Sequence, residues 1–231
     1  MAVPCPGTIA RRRAVSANGA NTDHISPSPL APDFARLYDI GAATFVLNLI
    51  VDIAGGYAPP GASKELTNPR DRQLFHYLRS QCELILIGAE TARREPYRSH
   101  RQQVAVLTRT GNLPEEFYTG VKPWVLTDSN SFEHVAQRVR DRAHIHLLEN
   151  LTDLKRLTTS QGIHSVLCEG GGDLAGQLAR AHLLDLIFLT RVPHQSKSTR
   201  LDIAELIHGV PFSGEIVEAQ VAYQRHQKSE M

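Results

Sequence analysis

Apolar residues along this chain fall into two alternating patterns, short continuous runs and runs spaced three or four apart, and each pattern predicts a different element. FVLNLIVDI at 45–53 and LILIG at 84–88 are almost unbroken and rich in β-branched residues, and further short runs lie at 103–108, 122–127 and 144–148. Such runs predict strands buried on both faces, as in a parallel sheet covered by helices. Between them, Leu74, Phe75 and Leu78 form one helical stripe, Phe132, Val135 and Val139 a second, and Leu151, Leu154 and Leu157 a third. Asn68 is placed to cap the first of these helices, with Pro69 as its first residue and Asp71 as an acid in its first turn. Asn130 with Glu133, and Asn150 with Asp153, have the spacing of capping boxes.

The run SVLCEGGGDLAGQLARAHLLDLIFLTRV at 165–192 reads as strand, glycine turn, helix, strand. A glycine turn that opens a helix leaves bare amides at a positive dipole end, which suits a phosphate. The same three glycines, Gly170, Gly171 and Gly172, serve equally well as a tight turn for close packing, with Asp173 as a helix cap. Beyond this unit the pattern predicts a polar loop at 193–200, a short helix at 202–207 and one extended C-terminal strand at 215–224. The whole reads as an α/β chain with a mostly parallel sheet and helices on both faces. Residues 1–32, rich in Pro, Ser, Ala, Gly and Asn, read as an extended arm, leaving 33–231 as a single α/β domain.

Composition narrows the partners. The 231 residues carry 25 basic and 24 acidic side chains, a formal charge of +1, so no global field draws nucleic acid or an anionic membrane. No apolar run reaches the length of a membrane span, and the opening residues lack the apolar core of a signal peptide. Cys5, Cys82 and Cys168 are odd in number and widely spaced, which supports neither a disulfide framework nor a zinc site and fits a reducing cytoplasm. A small molecule is the expected partner, and no metal site is expected.

Candidate chemistry gathers at the strand ends. Open α/β sheets hold ligands where parallel strands deliver their carboxyl ends, and here Gly88 and Thr91, then Thr108 and Arg109, then the glycine turn follow three of the strands. Asn48 and Asp52 interrupt the first strand, so each is hydrogen-bonded inside or faces a cleft. Gly55, Gly56, Pro59, Pro60 and Gly61 make a loop suited to closing over a ligand. There is no serine–histidine–acid pattern and no Walker loop. Gly170, Gly172 and Ala175 satisfy the spacing of a dinucleotide fingerprint, but the next strand ends in Thr190 and Arg191 rather than an acid, and too little chain follows to complete a Rossmann sheet; Arg191 suits a 2′-phosphate, which keeps that unit as a minor alternative.

The series NLIVDIAGGYAPPGAS, TNPRDRQLFHYLR, LILIGAETARREPY, VAVLTRTG and VLCEGGGDLAGQLARAHLLDLIFLTRVP, in that order, resembles the reductase family of riboflavin biosynthesis. Its members are the C-terminal halves of bifunctional pyrimidine deaminase-reductases and their stand-alone, mainly actinobacterial relatives. The likeness spans Leu30 to Tyr223 and lacks the zinc-bearing deaminase half. It implies a three-layer α/β/α, dihydrofolate-reductase-like fold, a homodimer, and NADPH-dependent reduction of 5-amino-6-(5-phosphoribosylamino)uracil. On that resemblance Gly88, Thr91, Thr108, Arg109, Gly170, Gly171, Gly172 and Asp173 hold the cofactor. Asn48, Ser63, Thr67, Arg79 and Glu95 contact the substrate, and Asp71 and Glu169 are the catalytic pair. Three positions depart from the family pattern: Ala54 stands in place of an acid with Asp52 two residues earlier, Glu90 replaces a glycine, and Gly172 replaces a proline. Three readings follow: this pyrimidine reductase, a reductase for a pterin-type substrate on the same fold, or a catalytically silent nucleotide-binding homologue.

Overall fold

A computed structural model describes residues 30–57, 66–95, 102–194 and 199–229. Nine strands form one sheet: β1 (Phe45–Asp52), β2 (Leu84–Gly88), β3 (Gln103–Leu107), β4 (Trp124–Thr127), β5 (His144–Leu147), β6 (Val166–Cys168), β7 (Leu186–Val192), β8 (Phe212–Glu218) and β9 (Val221–Gln227). Their order is β5-β4-β3-β2-β6-β1-β7-β9-β8. The first seven in that list pair in parallel; β9 and β8 close the far edge antiparallel. The parallel, doubly covered sheet expected from the unbroken apolar runs is therefore present, in a mixed form.

Side chains alternate across the sheet and sort the helices into two layers. Phe45, Leu47, Leu49 and Val51 of β1, with Leu84, Leu86, Ile187 and Leu189, pack against α5 (Asp153–Ser160), α6 (Gly172–Arg180) and α7 (Ile203–Leu206) through Leu154, Leu174, Leu178 and Leu206. Val46, Leu167, Leu186 and Phe188 face the other way, against α1 (Pro32–Leu37) and α2 (Pro69–Gln81), where Phe34, Leu74 and Leu78 are buried. Ile85, Ile87, Val104, Val106 and Val125 continue that face beneath α3 (Ala89–Arg94) and α4 (Phe132–Val139). Helix, sheet and helix make three layers.

Local chemistry fixes the start of α2 as its sequence predicts: the Asn68 side chain accepts the Asp71 amide at 2.8 Å, and Pro69 opens the helix. At α5 the cap is Thr152 rather than Asn150 and no side chain caps it; in the turn before, Asn150 Oδ1 accepts the Thr152 amide and Asp153 Oδ2 the Asn150 amide. At α4 the expectation is corrected. Asp128, not Asn130, satisfies the entry by accepting the Ser131 amide at 2.8 Å. Helix α1 begins at Pro32, where the expected domain starts, and residues 1–29 of the expected arm lie outside the described residues. A further correction lies at the end of the chain. The expected single strand at 215–224 is a hairpin of β8 and β9, turned at Ala219 and Gln220 with φ of +50° and +65°.

Candidate active site

The carboxyl ends of the parallel strands share one edge of the sheet, and β6 lies between β1 and β2, so segments far apart in sequence meet there. A cleft of about 630 Å³ runs along this edge over the ends of β2 to β6. Gly88, Thr91, Thr108, Arg109, Gly171, Gly172 and Asp173 all line it, which brings together seven of the eight residues expected to hold a cofactor. Gly170 does not line it; a Cβ there would lie 2.6 Å from the Leu174 side chain, so this glycine serves close packing of turn on helix.

Each lining residue is placed by a local rule. Gly88 ends β2 with open space where a side chain would be, leaving bare backbone toward the cleft. Thr91, buried in the first turn of α3, lines the same wall. The Thr108 hydroxyl accepts the Thr110 and Gly111 amides, shaping the turn after β3 that presents the exposed Arg109. Helix α6 starts at the Gly171 cap, and among the described residues no side chain, Asp173 included, caps it. Uncapped amides, a side-chain-free wall at Gly88 and the cations Arg93 and Arg109 fit a dinucleotide phosphate chain.

The residues expected to touch substrate lie toward β1, β6 and β7. Asp71 is 9 % exposed. Thr190 Oγ1 donates to its Oδ1 at 3.3 Å, and Thr67 also bonds it. Burial lifts its carboxyl from 3.8 to about 6, against the lowering effect of those hydroxyls and Arg72. The fully buried Tyr38, stacked on Phe188 at 4.4 Å, adjoins Thr190, and burial raises its hydroxyl well above the usual tyrosine range. Asn48 is half-buried on the α2 side of β1, in register with Phe188. Glu95 follows α3, its amide donating to Thr91 O at 2.9 Å. Ser63 lies outside the described residues.

Arg79 and Glu169, expected separately as a substrate contact and a catalytic residue, face each other. Arg79 Nε donates to Oε1 at 2.6 Å and Nη2 to Oε2 at 2.5 Å, with the side chains 18 % and 4 % exposed. The guanidinium also lies 4.2 Å from the Phe75 ring centroid. A bidentate pair this close fixes both groups and cancels their charges locally. Among the described residues no group of three His, Cys, Asp or Glu side chains is arranged to hold a metal, and no helix is long and apolar enough to cross a membrane.

Residues 44–194 match the family model described as the RibD C-terminal domain. The chain belongs to this family. Solved structures share its fold. A pyrimidine reductase-like protein from Corynebacterium diphtheriae has a TM-score of 0.64 at 17% identity, covering 86% of this chain and 99% of its own. Riboflavin biosynthesis reductase Rib7 from Saccharomyces cerevisiae has a TM-score of 0.62 at 15% identity, with the same coverage. Dihydrofolate reductase from Enterococcus faecalis, complexed with NADP(H), has a TM-score of 0.50 at 11% identity, covering 81% of this chain and 97% of its own. No curated protein sequence matches the chain.

Within the RibD C-terminal family frame, the three departures acquire structural explanations. Asp52 is fully buried, and its Oδ1 accepts the Ala54 amide at 2.8 Å and the Gly56 amide at 2.7 Å. It anchors the turn after β1. Glu90 lines the cleft and pairs with Arg94 one turn along α3 at 2.8 Å, both side chains being solvent-exposed. At Gly172 a Cβ would fall 2.4 Å from the ring of Tyr57, so a residue larger than glycine collides there. The residues that sequence reasoning passed over are Tyr57, Thr190 and Tyr38. Each acts through a contact between distant segments, and only Tyr57, flanked by glycines and prolines at the end of a strand, stands where a local signal could have marked it.

Proposed function

We propose that this protein is an NADPH-dependent reductase of 5-amino-6-(5-phosphoribosylamino)uracil. The observation that carries the reading is the gathering of Gly88, Thr91, Thr108, Arg109 and Gly171 to Asp173 around one cleft, with Asp71 and Glu169 on the neighbouring strands' side of the same sheet edge. Membership of the family supports the reaction class.

Bound in the cleft, the nicotinamide would supply a hydride. The α6 amides and Gly88 hold the phosphates, and Arg109 sits beside the adenosine end, where a 2′-phosphate is selected by charge. Reducing an opened ribosylamine adds hydride at the sugar carbon and a proton at nitrogen. Asp71 suits the proton: its carboxyl is held near 6, so a useful fraction is protonated close to neutral pH. Thr190 and Thr67 orient it. The Arg79–Glu169 pair presents a fixed carboxylate edge suited to donors on the pyrimidine, and Asn48, Thr67, Ser63 and Glu95 complete the substrate contacts in this reading. A homodimer in the cytoplasm accompanies it in this reading.

The test is oxidation of NADPH, followed by its absorbance, with the phosphoribosylamino-uracil and in parallel with dihydrofolate. Turnover with the first substrate alone supports the reading. Turnover with dihydrofolate alone moves the protein to a pterin substrate, and cofactor binding without turnover of either makes it a silent homologue.

A further inference from the structure

Tyr57 lies in the loop expected to close over a ligand, and its backbone is pinned to the sheet edge at several points. Its backbone bridges Val51 of β1, and its amide donates to Thr199 O at 3.1 Å. The turn before it is held by the buried Asp52 carboxylate, and Leu201 N donates to Gly55 O at 2.9 Å. Gly55 takes a φ of +79°, and a side chain there would press on the Leu201 carbonyl at 3.0 Å. Four attachments from two segments fix where the Tyr57 ring goes.

The ring goes against the start of α6. A Cβ on Gly172 would lie 2.4, 2.6 and 2.7 Å from three Tyr57 ring carbons, so the ring occupies the space of a side chain at 172. It is half-buried there and also lines the cleft beside Gly171, Asp173 and Leu174. Among the described residues lining the cleft, Tyr57 is the sole aromatic. It follows β1 and packs beside the turn after β6, whereas Arg109 follows β3, two strands further along the sheet.

We propose that Tyr57 is a ligand-recognition residue, the aromatic wall against which a flat heteroaromatic ring is held at the reacting end of the cleft, with Gly172 kept bare to seat it. The inference rests on the dinucleotide reading above and assigns the nicotinamide end to this ring. Stacking on an aromatic face is tolerant of ring identity but demands a fixed platform, which the pinned turn supplies.

The experiment is calorimetric titration of NADPH into the wild-type protein, Tyr57→Phe, Tyr57→Leu, Tyr57→Ala, Gly172→Ala and the Tyr57→Ala/Gly172→Ala double variant, each checked by thermal melting. Tyr57→Phe is expected to bind within about twofold of wild type, and Tyr57→Leu and Tyr57→Ala roughly tenfold or more weaker, the scale of one stacked base. Tyr57→Leu keeps apolar bulk against α6, so it separates lost stacking from lost folding. Gly172→Ala is expected to weaken binding when Tyr57 is present and to add nothing when it is absent. Wild-type affinity in Tyr57→Ala or Tyr57→Leu, or full additivity in the double variant, overturns the inference and leaves the dinucleotide reading standing. No saturable binding by the wild type overturns both.

Discussion

Replacing Asp71 with asparagine separates what this carboxyl does for function from what it costs the fold. The folded protein holds the Asp71 proton up to about pH 6, whereas the unfolded chain releases it near 3.8. Between those values the folded state binds more protons than the unfolded one, so stability falls as pH rises through that window and stays lowered above it. At about 1.4 kcal/mol per tenfold change in proton affinity, the penalty at neutral pH is about 3 kcal/mol. Asparagine has the shape of the protonated acid and can still accept from Thr190, but it carries no charge to desolvate. Asp71→Asn should therefore be more stable than wild type by up to about 3 kcal/mol at pH 8, a rise of about 6–12 °C in melting temperature for a chain of this size. Near pH 4 and below the difference should vanish. Reductase activity should be lost throughout, because the amide has no proton to give. Calorimetric melts of both proteins from pH 4 to 8 provide the comparison; equal melting temperatures at pH 8, or a difference independent of pH, would refute the assignment of a buried, protonatable Asp71.

Other sites give independent outcomes. Glu169→Gln leaves the largely buried Arg79 without its carboxylate partner and should cost about 3 kcal/mol in denaturant unfolding as well as activity. In the β8–β9 turn, Ala219→Asn with Gln220→Gly replaces two residues held at positive φ by the pair that favours this turn, and should raise stability by about 1 kcal/mol or more with kinetics unchanged. Arg109→Ala should weaken NADPH more than NADH in parallel titrations, because it removes charge beside the 2′-phosphate; equal losses would place that arginine elsewhere.

These sites also show what a single sequence discloses. Asn68-Pro69 with Asp71 three residues on is a local signal, and the helix starts where it says. The apolar runs at 45–53 and 84–88 reveal buried parallel strands because burial on both faces leaves no alternation. The hairpin at Ala219-Gln220 was illegible for the converse reason: its backbone takes left-handed conformations without the glycine or asparagine that usually announces them. Within the site, the residues that line the cleft were readable because each strand end carries its own turn chemistry. Arg79 and Glu169 lie ninety residues apart and meet only because β6 inserts between β1 and β2. Asp52 was ambiguous for a related reason. A polar residue in an apolar strand announces a hydrogen bond but not its partner, and here the partners are the Ala54 and Gly56 amides of the turn that directs Tyr57 into the cleft.

The central claim is that the cleft across the strand ends holds a reduced nicotinamide dinucleotide. Titration of NADPH into the protein, followed by the cofactor's own fluorescence, tests it most directly. The account predicts saturable binding well below millimolar cofactor, weakened when Arg109 is replaced by alanine. A titration that shows no saturation at millimolar NADPH would contradict it.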